Sequence, residues 1–260
     1  MKVFVKKVAF PKEHGSWGFV LEPLLLSLLV SYSTKGLLLA IASFFIFLNH
    51  QPVRVLFDND KKITKQLKHT AIIFFSTYAI ITLISIYKVF INTSIINLFP
   101  FILSIFFMTM FLFLEFQKKG RELLAEFIAP LSITLIGISI VLLGGWNIYY
   151  ALAFSIILLS RSIPTVFYIH IKVQHFKKRI ITKKLLYISE FISVILIAVL
   201  IFLNLIPKFS IIAVAMLLLR AFYGLSKNGL LENIKILGIK EFIYGLLYVA
   251  IIYIGYNYNL

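Results

Sequence analysis

A chain of 260 residues that is 61% hydrophobic, with a mean hydropathy of +0.99, cannot hide its apolar surface inside a soluble domain. The formal net charge of +16 belongs, in so apolar a chain, to loops beside an anionic leaflet rather than to a nucleic-acid surface. With no cysteine there is no disulfide frame and no thiolate metal site, and the opening MKVFVKKVAFPKEHGSWG lacks the apolar core and cleavage chemistry of a signal peptide.

Nine apolar segments predict nine membrane-spanning helices. They run roughly over 16–32, 36–50, 69–87, 94–116, 123–143, 149–170, 185–205, 210–224 and 241–256. The second and eighth are short, so tilt or re-entry is expected there. Basic residues alternate between the gaps. Twenty-one of the 26 Lys and Arg lie before the first span or after the second, fourth, sixth and eighth, against Lys35, Lys88 and Lys208 in the other gaps. This pattern predicts a cytoplasmic N-terminus and an outer C-terminus. A single transmembrane domain over 1–260 is expected, with an internal pseudo-repeat of about 11–120 and 121–240. HGSWGFVLEP opens a span in the first half and RELLAEFIAP opens one in the second.

Two polar stretches follow long apolar runs. LNHQPVRVLFDNDKK, 48–62, gathers Asn49, His50, Arg54, Asp58 and Asp60 around Pro52. SRSIPTVFYIHIKVQHFKK, 160–178, sets Arg161, Tyr168 and His170 around Pro164. The two are expected to face each other at the cytoplasmic mouth of the bundle. Arg161 cannot shed its charge and needs an acid, carbonyls or an anionic ligand. Glu22 and Glu126 read either as cavity-facing acids or as helix-start acids favoured by the macrodipole. Arg220, close to the end of its span, reads as a snorkelling side chain. Glu115 and Glu241 are placed with the acids of the cytoplasmic boundary. Among the histidines, His14, beside Glu13, and His50 are the candidates for handling a proton. His50 with Asp58 and Asp60 is a poor metal site, because Lys61 and Lys62 already balance the aspartates.

PKEHGSWG, the LEP that follows it, NHQPVR, RELLAEF and RSIPTVFYIHIK together resemble the bacterial YwiC-like family of integral membrane proteins over essentially the whole chain. The layout also resembles, at a distance, the UbiA superfamily of intramembrane prenyltransferases. That likeness implies a bundle of two four-helix halves plus one helix, with polar motifs after the second helix and around the sixth. The superfamily's aspartate motifs hold magnesium against an isoprenoid diphosphate. Here Asn49 keeps the first Asn, but His50, Val53 and Phe57 stand where aspartates belong, and Asp58 falls one residue late. The second stretch offers Arg161, His170 and Lys172 instead of aspartates. Magnesium is therefore not expected as a cofactor, whereas direct binding of a phosphate or carboxylate is allowed.

The expectation is an all-α polytopic protein of a bacterial inner membrane, with the bilayer as its partner. A polar pocket opening to the cytoplasm would bind or modify an isoprenoid, a quinone or a lipid with a polar or anionic head. Its lining is expected from Glu22, Asn49, His50, Arg54, Asp58, Glu126, Arg161, Tyr168 and His170. Enzymatic turnover, as a divergent prenyltransferase, is left open. The alternative is a transporter or an accessory subunit of a membrane complex, with Glu22, Glu126 and Arg161 as its coupling or substrate site.

Overall fold

The computed structural model describes residues 8–11, 14–57, 64–117, 122–178, 182–226 and 234–258, with the backbone alone for 14–16, 116, 234 and 235. These residues form nine principal helices and no strand. They are α1 (His14–Val30), α2 (Thr34–Phe57), α3 (Lys65–Phe90), α4 (Ile95–Phe116), α5 (Leu123–Leu143), α6 (Ile148–Phe176), α7 (Lys184–Phe202), α8 (Ser210–Gly224) and α9 (Ile234–Tyr258). Seven of them, α2 to α7 and α9, are long and apolar enough to cross a membrane; α1 and α8 are shorter apolar helices. The chain is a multi-pass membrane protein. Backbone groups in hydrocarbon must be satisfied within the segment, and a helix does so.

The expected short second span is corrected. α2 has 24 residues and continues through Pro52 to Phe57, so NHQPVRVLF is helix rather than loop. Pro23, Pro100, Pro130 and Pro164 likewise lie inside helices. A proline removes one ladder bond, and neighbouring helices make that tolerable within a membrane. α8 stays short at 15 residues. α9 begins at Ile234, seven residues before the expected start.

Short turns join α1 to α2, α3 to α4 and α5 to α6. At the first of these, Lys35 Nζ ties down the α3–α4 turn, donating to Ile91 O at 2.9 Å, Asn92 O at 2.7 Å and Thr93 Oγ1 at 2.7 Å. The starts of α1, α3, α5, α7 and α9 share the opposite end with the ends of α2, α4, α6 and α8. Arg54, Lys65, Lys68, Lys172, Lys177, Lys178, Lys183 and Lys184 lie there, and it is called the basic end below.

The middle of the bundle is built on close approach. Ser27 of α1 faces Gly137 of α5, and Ser31, just past α1, faces Gly144, the cap of α5; a Cβ on either glycine would overlap its serine. Ser31 Oγ also donates to Val141 O at 3.3 Å. Ser139 Oγ accepts from Phe101 N at 2.8 Å, and Ser132 Oγ donates to Ser104 O at 2.9 Å, which join α5 to α4. Small residues that let backbones meet replace the hydrophobic drive that lipid cannot supply. α5 packs on α1, α2, α4 and α6; α6 packs on α7, α8 and α9; α9 closes back onto α1. The outer faces of α3, α4, α7 and α9 present large apolar side chains, as lipid contact requires.

Candidate functional site

Five helices send charged side chains to one buried level. Glu22 lies on α1, Arg161 on α6, Glu190 on α7, Arg220 on α8 and Glu241 on α9. Each is at most 8% exposed. Glu22, Glu190 and Glu241 sit about two turns into their helices, so the level lies on the order of 10 Å inside the basic end.

Arg161 is saturated. Nε donates to Glu22 Oε2 at 3.0 Å, and Nη2 donates to Glu22 Oε1 at 3.4 Å and to the Glu241 carbonyl at 3.0 Å. Nη1 donates to Thr165 Oγ1 and lies 3.5 Å from Glu241 Oε2. The planar five-donor fork suits such a shared geometry, which a lysine could not reproduce. Thr165, one turn further along α6, also receives Arg220 Nη1 at 3.2 Å, so a single hydroxyl bridges both guanidiniums. Its own proton goes to Arg161 O at 2.6 Å. Glycines make room for the acid: a Cβ on Gly245 of α9 would overlap the Glu22 carboxylate, and one on Gly18 would press on it.

Arg220 is only partly satisfied. Nη1 donates to Glu241 Oε2 at 2.6 Å, and the guanidinium lies 4.5 Å from the Tyr168 ring centroid, a cation–π contact. Its Nε and Nη2 make no hydrogen bond, although Nη2 is 3.5 Å from Glu190 Oε1. Neither Glu190 oxygen accepts a hydrogen bond, and this residue is fully buried. Lys172 Nζ approaches the same Tyr168 ring at 5.6 Å. The reading of Arg220 as a snorkelling side chain is corrected: α8 ends one turn after it, but α7 and α9 cover that turn and supply acids.

Apolar clusters flank the level on both sides. Leu158, Ile197, Leu217 and Tyr248 belong to the main core on the far side. Tyr168, Leu186, Ala221, Leu225 and Leu237 form a second cluster toward the basic end. Along α6, α7, α8 and α9 the charged residue falls between a member of one and a member of the other. Charges held between two dry layers interact far more strongly than they would in water.

Two further pairs lie closer to the basic end. His50 Nε2 of α2 meets Glu115 Oε2 of α4. His170 Nδ1 of α6 meets Glu126 Oε2 of α5 at 3.1 Å. The structure therefore brings Glu22, Arg161 and Tyr168 together, and joins His170 to Glu126. His50 is partnered with an acid on another helix. Asn49 is half-buried on α2, its Oδ1 without a hydrogen bond, and Arg54 is exposed on the last turn of α2. Asp58, Asp60 and the side chain of His14 lie outside the described residues. Among the described residues no group of three His, Asp or Glu is placed to hold a metal ion.

Glu190 was not singled out by sequence reasoning, and Glu241 was assigned to the boundary. Each had a usable signal: Glu190 is the one acid of the apolar run from 185 to 205, and acids in such runs default to paired or functional roles.

Among the described residues, nine principal helices, interior seams of small residues and a buried charge cluster define a polytopic helical membrane protein. The YwiC-like protein family model matches residues 10–141, and the chain belongs to that family. The match takes in α1 to α4 and nearly all of α5, with Glu22, His50, Glu115 and Glu126; Arg161, Glu190, Arg220 and Glu241 follow it. No curated protein and no solved structure matches the chain.

Proposed function

We propose that this protein binds an amphiphile, an isoprenoid, a quinone or a lipid with a polar head, in the plasma membrane of a bacterium, with the basic end toward the cytoplasm. The observation that supports this is the charge level itself. Two guanidiniums and three carboxyls are held between apolar layers by five helices. Ionisable side chains inside a membrane are expensive, and they mark binding sites and pathways when they are not incidental. A polar head can meet charge at this level while its tail stays in the bilayer.

Native mass spectrometry of the detergent-purified chain, with extraction of its bound lipid, tests the reading. The expected result is an isoprenoid, quinone or other non-bulk lipid at near-stoichiometric level, reduced several-fold in Arg220→Gln. Bulk phospholipid alone, indifferent to that substitution, would count against it. The second reading is a transporter or accessory subunit. The direct pairing of Glu22 with Arg161 favours it, since paired intramembrane charges also serve as coupling sites.

A further inference from the structure

We propose that the head group is received by Arg220 and Glu190, and that it is a neutral hydroxyl rather than a phosphate. This deepens the amphiphile reading above and rests on it. Arg161 has no nitrogen to spare: Glu22, Thr165 and the Glu241 carbonyl already accept from all three. The open valences are elsewhere. Arg220 Nε and Nη2 donate to nothing, and both Glu190 oxygens accept from nothing, in residues that are 3% and 0% exposed. A buried polar atom without a hydrogen bond costs roughly 1–3 kcal/mol, and this ion pair, 3.5 Å between Nη2 and Oε1, concentrates four of them.

One hydroxyl seated beside this contact, rather than between its two atoms, answers both groups. Its oxygen accepts from the guanidinium and its proton goes to the carboxylate, so donor and acceptor are satisfied by a single atom and its hydrogen. A phosphate could accept from Arg220, but it would bring its charge against Glu190, with Glu241 already holding Nη1 at 2.6 Å. Like charges in so dry a setting repel strongly. Lys172, on the α6 face that carries Tyr168, is the other cation near the ring, 5.6 Å from it.

Access is lateral. The apolar clusters flank the level along the bundle axis. Among the described helices α7 packs mainly on α6 and α8, and its other flank, with Phe191, Ile192, Ile195 and Val199, is exposed. Across the α7–α8 seam Tyr187 stacks on Phe222, ring centroids 5.1 Å apart, three residues from Glu190 and two from Arg220. Such a stack is worth on the order of 1 kcal/mol and parts easily. A tail lying in the bilayer can slide its head through this seam.

The test compares two probes with the same tail, farnesol and farnesyl monophosphate, binding to the full chain in lipid nanodiscs. Farnesol is expected to bind at least about tenfold more tightly. Glu190→Gln is expected to weaken farnesol and strengthen the phosphate, so that the ratio collapses or inverts; a gain for one probe is not what misfolding gives. Phosphate binding as tight as farnesol in the native chain overturns the hydroxyl assignment and leaves the amphiphile reading standing. An unchanged ratio in Glu190→Gln overturns the location. Binding of neither probe overturns the amphiphile reading for isoprenoid tails, and this proposal with it.

Discussion

At the scale of residues, the contrast between Arg161 and Arg54 sets the first expectation. Removing one partner from a buried ion pair costs about 3–5 kcal/mol, because the other charge is left desolvated and alone. Arg161→Ala is therefore expected to lower the thermal unfolding midpoint of the detergent-solubilised protein sharply, and Arg54→Ala, exposed on the last turn of α2, to change it little. Equal midpoints in the two variants would mean that the buried network contributes no stability. Gly245 gives a finer probe. Gly245→Ala pushes a methyl into the Glu22 carboxylate and is expected to cost about 1–3 kcal/mol, whereas Gly238→Ala on the same helix meets nothing within 4 Å and gains a few tenths from helix propensity. The same thermal measurement ranks them. Glu22 and Arg161 were legible in the sequence because each interrupts an apolar run. Arg220 was not: three residues from the last apolar position a snorkelling cation and a buried one look alike, and only the acids of α7 and α9 decide between them. The partners His50–Glu115 and His170–Glu126 were unreadable for a different reason, since sequence separation of 65 and 44 residues carries no pairing signal.

At the scale of elements, hydropathy located all nine helices, and the boundaries of α5 and α8 coincide with their expected ranges. The larger extensions have one cause. Where a span carries polar side chains into a terminal turn, as at Asn49 to Arg54 at the end of α2 or Lys235 to Lys240 at the start of α9, the apolar run is shorter than the helix. Membrane helices extend past the hydrocarbon, and neighbouring helices keep their polar ends wound. The seam of α1 and α5 was equally invisible, because serine and glycine in apolar runs are ordinary until two of each align. Gly137→Leu, which would drive a side chain into Leu158 and Ser27, is expected to broaden the size-exclusion profile and lower the unfolding midpoint by more than Ser31→Ala does. A monodisperse Gly137→Leu protein with native stability would show that α1 and α5 need not touch.

At the scale of the whole molecule, the alternation of basic loops predicts orientation. The chain has no cysteine, so single cysteines report cleanly. Lys88→Cys and Lys208→Cys, both exposed on the turns opposite the basic end, are expected to react with an impermeant maleimide in intact cells. Lys68→Cys and Lys177→Cys are expected to react only after the membrane is opened. The reverse pattern would place the basic end, and the site near it, outside the cytoplasm.

The charge network also constrains how the protein is made. Glu22 emerges from the ribosome 139 residues before Arg161, and Glu241 another 80 after that. At about 5–20 residues per second the first acid waits on the order of ten seconds or more for its cation. During that interval α1, only 17 residues long, carries an uncompensated carboxyl. Its stable insertion therefore belongs to a late step, when α6 and α9 arrive and close around it. A helix made early is then among the last to be locked in place.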